Sequence, residues 1–199
     1  EMVKSKYGID ALRINMETGG FAPDFKNDSE VLEFLVDAIQ AAGATGKIQI
    51  GIDAAAHEFY DKETKLYDLG YKELESDGTK KISGIAFAKK YTEFCTRYPI
   101  ISIEDPFDTD DWVNHSKVRK GFFSSSSTTH MCICISANIL TQSLIVQYLQ
   151  LTDSIGENLQ IIGDTVFQTN PVRLEKGIRD NACNGVLVKP SQVGTVWEA

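Results

Sequence analysis

The sequence predicts an α/β fold: βα units arranged around a parallel sheet or barrel. Three observations carry that expectation. Four apolar runs rich in β-branched residues each end in a charged one: IQIGIDAAA with Asp53, IISIEDPF with Glu104, LQIIGD with Asp164 and VLVKPSQ with Lys189. A strand buried on both faces reads as such a continuous run, and a charge at its carboxyl end lies at the mouth of the sheet or barrel, where these folds keep their chemistry. Stretches of helical periodicity separate the runs, which is the rhythm of βα units. The composition agrees: 199 residues, 42% hydrophobic and 24% charged, suffice for a globular domain with a core.

In chain order, DALRIN (10–15) is a weak strand candidate, followed by a Gly19-Gly20 turn. Residues 29–42 carry Val31, Leu32, Leu35, Ile39 and Ala42 at helical spacing, with Asn27 or Asp28 as cap and Gly43 as stop. A strand over 47–53 follows. The polar stretch 61–81 reads as a loop or short hairpin. Residues 84–97 form a second helix, with Ile85, Phe87, Ala88, Tyr91 and Phe94 on its apolar side. A strand over 100–104 comes next, then a short helix over 110–117. A strand at 159–163 leads to Asn170-Pro171, a helix start with proline at the first position, and that helix carries Leu174, Ile178 and Ala182. The last strand is 185–189.

Residues 118–150 break this rhythm. The segment contains no Asp or Glu, and a serine run meets a β-prone apolar run with too many polar residues to span a bilayer. A structureless piece of this length is foreign to a compact domain. Its first residue is Val118 and its last Gln150, and codons for valine and glutamine match intron borders. We read it as unspliced intron sequence, against the alternative of a lineage-specific surface loop.

A net charge of -8 and a pI near 4.9 argue against nucleic acid or an anionic membrane as partner. Cys95, Cys132, Cys134 and Cys183 form no CxxC pair, so buried thiols in a reducing cytosol are expected rather than a zinc site or a disulfide framework. The opening EMVKSKYG has no signal-peptide core, and both ends read as internal points of a longer protein.

Three acids and a lysine at strand ends suggest a hard metal ion beside a base. Taken alone, each acid is an ordinary helix cap or loop acid, and Lys189 an ordinary solvated lysine. Asp105 and Asp108 read as turn acids around Pro106, and His115 and His130 as solvated. His57 reads as a loop residue near the site or merely exposed.

At these segments the chain resembles enolase. KYGIDA, GGFAP, GKIQIGIDAAAHEFY, SIEDPFDTDDW, IIGD with TNP, ACNGVLVK and QVGTV follow the enolase pattern in order. Asp164 to Lys189 is 25 residues, as in the family; Glu104 to Asp164 is 60, and without the 33 residues of 118–150 it is 27, close to the family interval. The resemblance implies an enolase-type TIM-like (β/α) barrel, incomplete, with about five strands present. Residues 1–199 would then be part of the C-terminal barrel domain, interrupted at 118–150. It implies a cytoplasmic, homodimeric, Mg²⁺-dependent enzyme of glycolysis that dehydrates 2-phosphoglycerate to phosphoenolpyruvate. Asp53, Glu104 and Asp164 would hold the Mg²⁺. Lys189 would remove the C2 proton, Glu17 would help hydroxide leave, and Glu104 and Lys189 would also face the substrate.

That chemistry needs those residue types. A proton α to a carboxylate is weakly acidic, and a hard cation stabilises the second negative charge that its removal builds. Mg²⁺ takes oxygen ligands in octahedral array. A lysine base must be uncharged near neutral pH, so its pKa must fall from about 10.4; the enolase superfamily is itself a known example of a Lys or His base beside Mg²⁺.

The chain departs from the family at Asn15-Met16-Glu17-Thr18-Gly19-Gly20. The acid stands one residue early, and such a slip in a strand turns the side chain to the other face. Thr165, Pro190 and Ser191 also differ. The family's second lysine, its histidine and its Arg-Ser pair have no counterpart here. Thr18, Thr165 and Ser191 favour the alternative of a non-catalytic enolase-like scaffold or binding protein, and the chain alone is expected to be weakly active or inactive. A different barrel enzyme of the same superfamily is a third reading, against which GGFAP and SIEDPF count.

Overall fold

A computed structural model describes residues 1–14, 19–73, 78–110, 131–135, 142–143, 159–180, 182–197 and 199. Glu17, residues 111–117 of the helix expected at 110–117 and most of 118–150 lie outside the described residues; Asp110 itself ends a short strand.

Helix α1 (Met2–Tyr7) was not legible in the sequence. It forms because Tyr7 docks on the next helix: its ring lies 5.1 Å from Phe25 and 5.7 Å from Phe34, and its hydroxyl donates to Glu30 Oε1 at 2.8 Å. That next helix, α2 (Asp28–Ala41), starts where its cap predicts, with the Asn27 side chain accepting from the Glu30 N–H. Over the described residues 10–14 the strand expected at 10–15 is not formed. Ile9–Leu12 is a 3₁₀ turn, Asp10 and Arg13 pair locally at 3.4 Å, and Ile14 bridges only to Phe21.

The central strands match the apolar runs. They are β1 (Ile48–Asp53), β5 (Ile100–Glu104), β9 (Gln160–Gly163) and β10 (Gly185–Val186). All pair in parallel, in the order β10-β9-β5-β1. The strand at 185–189 is shorter than expected. Leu187 N–H still donates to Gly163 O at 3.1 Å, but Pro190 has no N–H to continue the ladder and begins the short helix α5 (Pro190–Val193). The backbone of β7 (Met131–Ile135) adds a fifth parallel strand outside β1, in register from Ile48↔Met131 to Ile52↔Ile135. Among the described residues the sheet thus has five strands, with β7 at that edge.

Between β1 and β5 the polar stretch is a small antiparallel sheet: β2 (Tyr60–Asp61), β3 (Leu66–Asp68) and β4 (Lys81–Ile82). It leads into α3 (Gly84–Arg97), capped by Ser83. Short strands β6 (Thr109–Asp110) and β8 (Gln142–Ser143) pair with each other. Helix α4 (Pro171–Arg179) crosses from β9 to β10, its first turn capped by Asn170. The result is an α/β architecture around a parallel sheet, an incomplete barrel.

The core lies between the sheet and its helices. Leu32 and Ile39 from α2, Phe87, Tyr91 and Phe94 from α3, and Ile50, Ile103 and Ile161 from the strands are buried together. Aromatic hydroxyls tie this core to the loop after β5. Tyr91 OH donates to Pro106 O at 3.0 Å, and Asp108 N–H donates to Tyr67 OH at 2.9 Å. Phe167 packs where two glycines leave room: a Cβ at Gly163 or Gly177 would come within 2.5 Å and 2.3 Å of its ring. Among the described residues no helix is long and apolar enough to cross a membrane.

Candidate functional site

Asp53 and Glu104 are the last residues of β1 and β5 and stand opposite each other in register. Asp164 directly follows β9, and Lys189 lies just beyond β10 as the residue that opens α5. The four residues read from the sequence therefore all lie at the carboxyl ends of adjacent parallel strands. Parallel pairing brings them together because each apolar run ends at the same level of the sheet.

The turns after these strands are unusual. Ala55, Asp105, Gln168 and Thr169, none of them glycine, have φ of 41°, 41°, 49° and 52°. Left-handed backbone is costly for residues with a Cβ and is held only where the surroundings over-determine it. Asp105 shows how. It is 3% exposed, and its carboxylate accepts from Asp164 N–H at 3.1 Å and Thr165 N–H at 2.9 Å. Its own N–H donates to Ile162 O at 3.1 Å, and its carbonyl accepts from Ala56 N–H at 3.2 Å. One residue thus stitches the ends of β1, β5 and β9. The sequence reading took Asp105 for a turn acid; its conformation and its three-strand role come from tertiary packing, and the available signal was an aspartate, which tolerates this conformation, placed directly after a strand.

Electrostatically the carboxylates act on one another. Burial pushes Glu104 up to about 8, helped by the charges of Asp53, Asp105 and Asp164. Asp164 is 7% exposed and ion-paired with the Lys189 amine. The expected fall in the lysine's pKa is not seen. Burial pulls it down, but the hydrogen bond and charge of Asp164, with the charges of Glu104 and Asp105, outweigh burial and the net direction is up. Lys189 here is a protonated partner of a carboxylate.

Mg²⁺ suits this donor set in kind. The oxygens are hard, and the mutual repulsion that keeps a proton on Glu104 is what a divalent cation relieves. The spacing is another matter: among the described residues no three Asp, Glu, His or Cys side chains stand close enough together to hold a metal ion.

Two further residues join the site without having been read from the sequence. Thr169 and Gln192 link Lys189 back to Asp164 through hydrogen bonds. His57 lies half-buried in the 3₁₀ turn Ala56–Phe59 after β1. Cys95 and Cys183 are free thiols, and burial pushes Cys95 up to about 12 and Cys183 well above its ordinary value, so both are unreactive.

The family model for "Enolase, C-terminal TIM barrel domain" matches residues 1–124 and 121–199. "Enolase 2" of Hevea brasiliensis is 42% identical over 198 residues, covering 100% of this chain and 37% of that protein. "Enolase" of Solanum lycopersicum is likewise 42% identical over 198 residues, with the same coverage. The chain spans about 37% of the length of the curated relatives it matches.

Proposed function

The chain belongs to the enolase family, and from that premise we propose that it is barrel sequence of an enzyme dehydrating 2-phosphoglycerate to phosphoenolpyruvate. The observation that carries the reading is the placement of Asp53, Glu104, Asp164 and Lys189 at the ends of adjacent parallel strands, with Glu104 electrostatically coupled to both aspartates. Asp53, Glu104 and Asp164 would hold Mg²⁺, which when bound supplies electrostatic stabilisation of the doubly charged substrate carboxylate.

Lys189 would take the C2 proton. Its amine must first lose its own proton, and the contact with Asp164 opposes that. Release of the Asp164 contact would free the amine to act as the base. Glu17 would assist departure of the hydroxide. A cytoplasmic location and a homodimer belong to the same reading. We also propose that residues 118–150 interrupt the barrel domain as unspliced intron sequence. The family match comes as two segments, 1–124 and 121–199, that meet inside this stretch, and a mature transcript containing these codons in its dominant form would sink the proposal.

The second reading is a non-catalytic enolase-like scaffold. The Lys189–Asp164 ion pair favours it, as do Thr18, Thr165 and Ser191 where the family pattern differs. Phosphoenolpyruvate absorbance decides between the two. With Mg²⁺ and 2-phosphoglycerate, protein from the full-length spliced transcript should turn over, and Lys189→Ala should lower the rate by about 10³-fold or more, the loss expected when a general base is removed. A folded, Mg²⁺-binding protein without turnover is the scaffold.

A further inference from the structure

Gln168 and Thr169, the two residues before the Asn170 cap of α4, are consecutive residues in left-handed backbone, with φ of 49° and 52°. For threonine, branched at Cβ, this is a genuine outlier. Glycine would relieve it, so the threonine side chain must do something there that glycine cannot.

What it does is visible in its contacts. Thr169 is 8% exposed. Its hydroxyl oxygen accepts from the Lys189 N–H at 2.8 Å, and its O–H donates to Gln192 Oε1 at 2.7 Å. The Gln192 amide N–H then donates to Asp164 Oδ1 at 3.5 Å, while the Lys189 amine donates to Asp164 Oδ2. Four residues close a ring, and each donor meets an acceptor. With its oxygen engaged by Thr169, Gln192 can offer Asp164 only an N–H.

We infer that Thr169 is a positioning residue of the lysine–carboxylate pair: its hydroxyl fixes the Lys189 backbone and the Gln192 amide, and through them the relative placement of the Lys189 amine and the Asp164 carboxylate. The inference rests on the proposal that these two groups do the chemistry, but it is tested without turnover.

The test is acylation of Lys189 in the metal-free chain, read on its peptide by mass spectrometry, because an amine held in an ion pair acylates slowly. Asp164→Asn sets the released level. Thr169→Ser keeps the hydroxyl and should label like wild type. Thr169→Val keeps the shape and loses both hydrogen bonds of the hydroxyl, and should label at least about threefold to tenfold faster, the factor that a single hydrogen bond is worth. Thr169→Gly is at home in left-handed backbone, so it should fold without loss of melting temperature and yet label as fast as Thr169→Val. That divergence of stability from labelling separates positioning from a merely structural role. Wild-type labelling in folded Thr169→Val or Thr169→Gly, or raised labelling in Thr169→Ser, overturns the inference. Failure of phosphoenolpyruvate formation leaves these results untouched, and turnover with unchanged labelling removes only the role of Thr169.

Discussion

Glu104 is the acid on which the site's repulsion falls, and its titration shows in stability. Its pKa rises from 4.5 unfolded to about 8 folded, through burial and then through Asp53, Asp105 and Asp164. A raised acid favours the fold while it is protonated. Its contribution is fully present below 4.5 and is lost as pH rises through about 8. In chelator, urea stability should fall across that window, and Glu104→Gln should flatten the fall; an unchanged profile in Glu104→Gln contradicts the coupling. Glu30 does not confound this. The Lys26 N–H, then Tyr7, hold it down at about 2, so its contribution is lost only as pH falls below 4.5. Asp105 belongs to the same scale. Its carboxylate satisfies two backbone N–H groups in a nearly dry site, so Asp105→Ala should cost about 3 kcal/mol by urea unfolding. A loss within experimental error would mean that the three strand ends hold their register without it. The four charged strand ends were legible in the sequence because chemistry and position coincide at the end of an apolar run. Asp105, Thr169 and Gln192 were not, because a left-handed turn and a hydrogen-bond ring exist only once distant segments meet.

Elements were read best where a local signal fixed them. Asn27 and Asn170 cap α2 and α4 where their sequence patterns predict, and β5 spans its expected residues. Elements fixed by tertiary contact were misread. α1 needs Phe25 and Phe34 for Tyr7 to dock upon, and residues 10–14 do not enter the sheet. Helix α4 offers a test of packing against propensity. Gly177 sits inside it, and glycine normally costs a helix about 1 kcal/mol relative to alanine. Yet an added Cβ would lie 2.3 Å from the Phe167 ring. Gly177→Ala should therefore destabilise by about 1–3 kcal/mol, as overpacking does. A stabilised Gly177→Ala would show that Phe167 has room to move.

Among the described residues the main sheet has five parallel strands, with β7 out of sequence order beside β1, where a closed barrel of this class needs eight. Among the described residues its edge strands β7 and β10 pair on one side only, and Val172, Ile178, Val196 and Trp197 are largely exposed. Open edges and apolar surface recruit partners. The purified chain should therefore self-associate with rising concentration in sedimentation velocity, and a monomer at every concentration would mean that these surfaces are covered. The functional claim at this scale is that three carboxylates from separate strands act as one cation site, although their resting spacing holds none. Calorimetric titration of Mg²⁺ into this chain tests it most directly. Mg²⁺ should bind, each of Asp53→Asn, Glu104→Gln and Asp164→Asn should abolish binding, and Glu33→Gln on the outer face of α2 should leave it intact. Binding that survives all three substitutions, or no binding by a chain that circular dichroism shows to be folded, would contradict it.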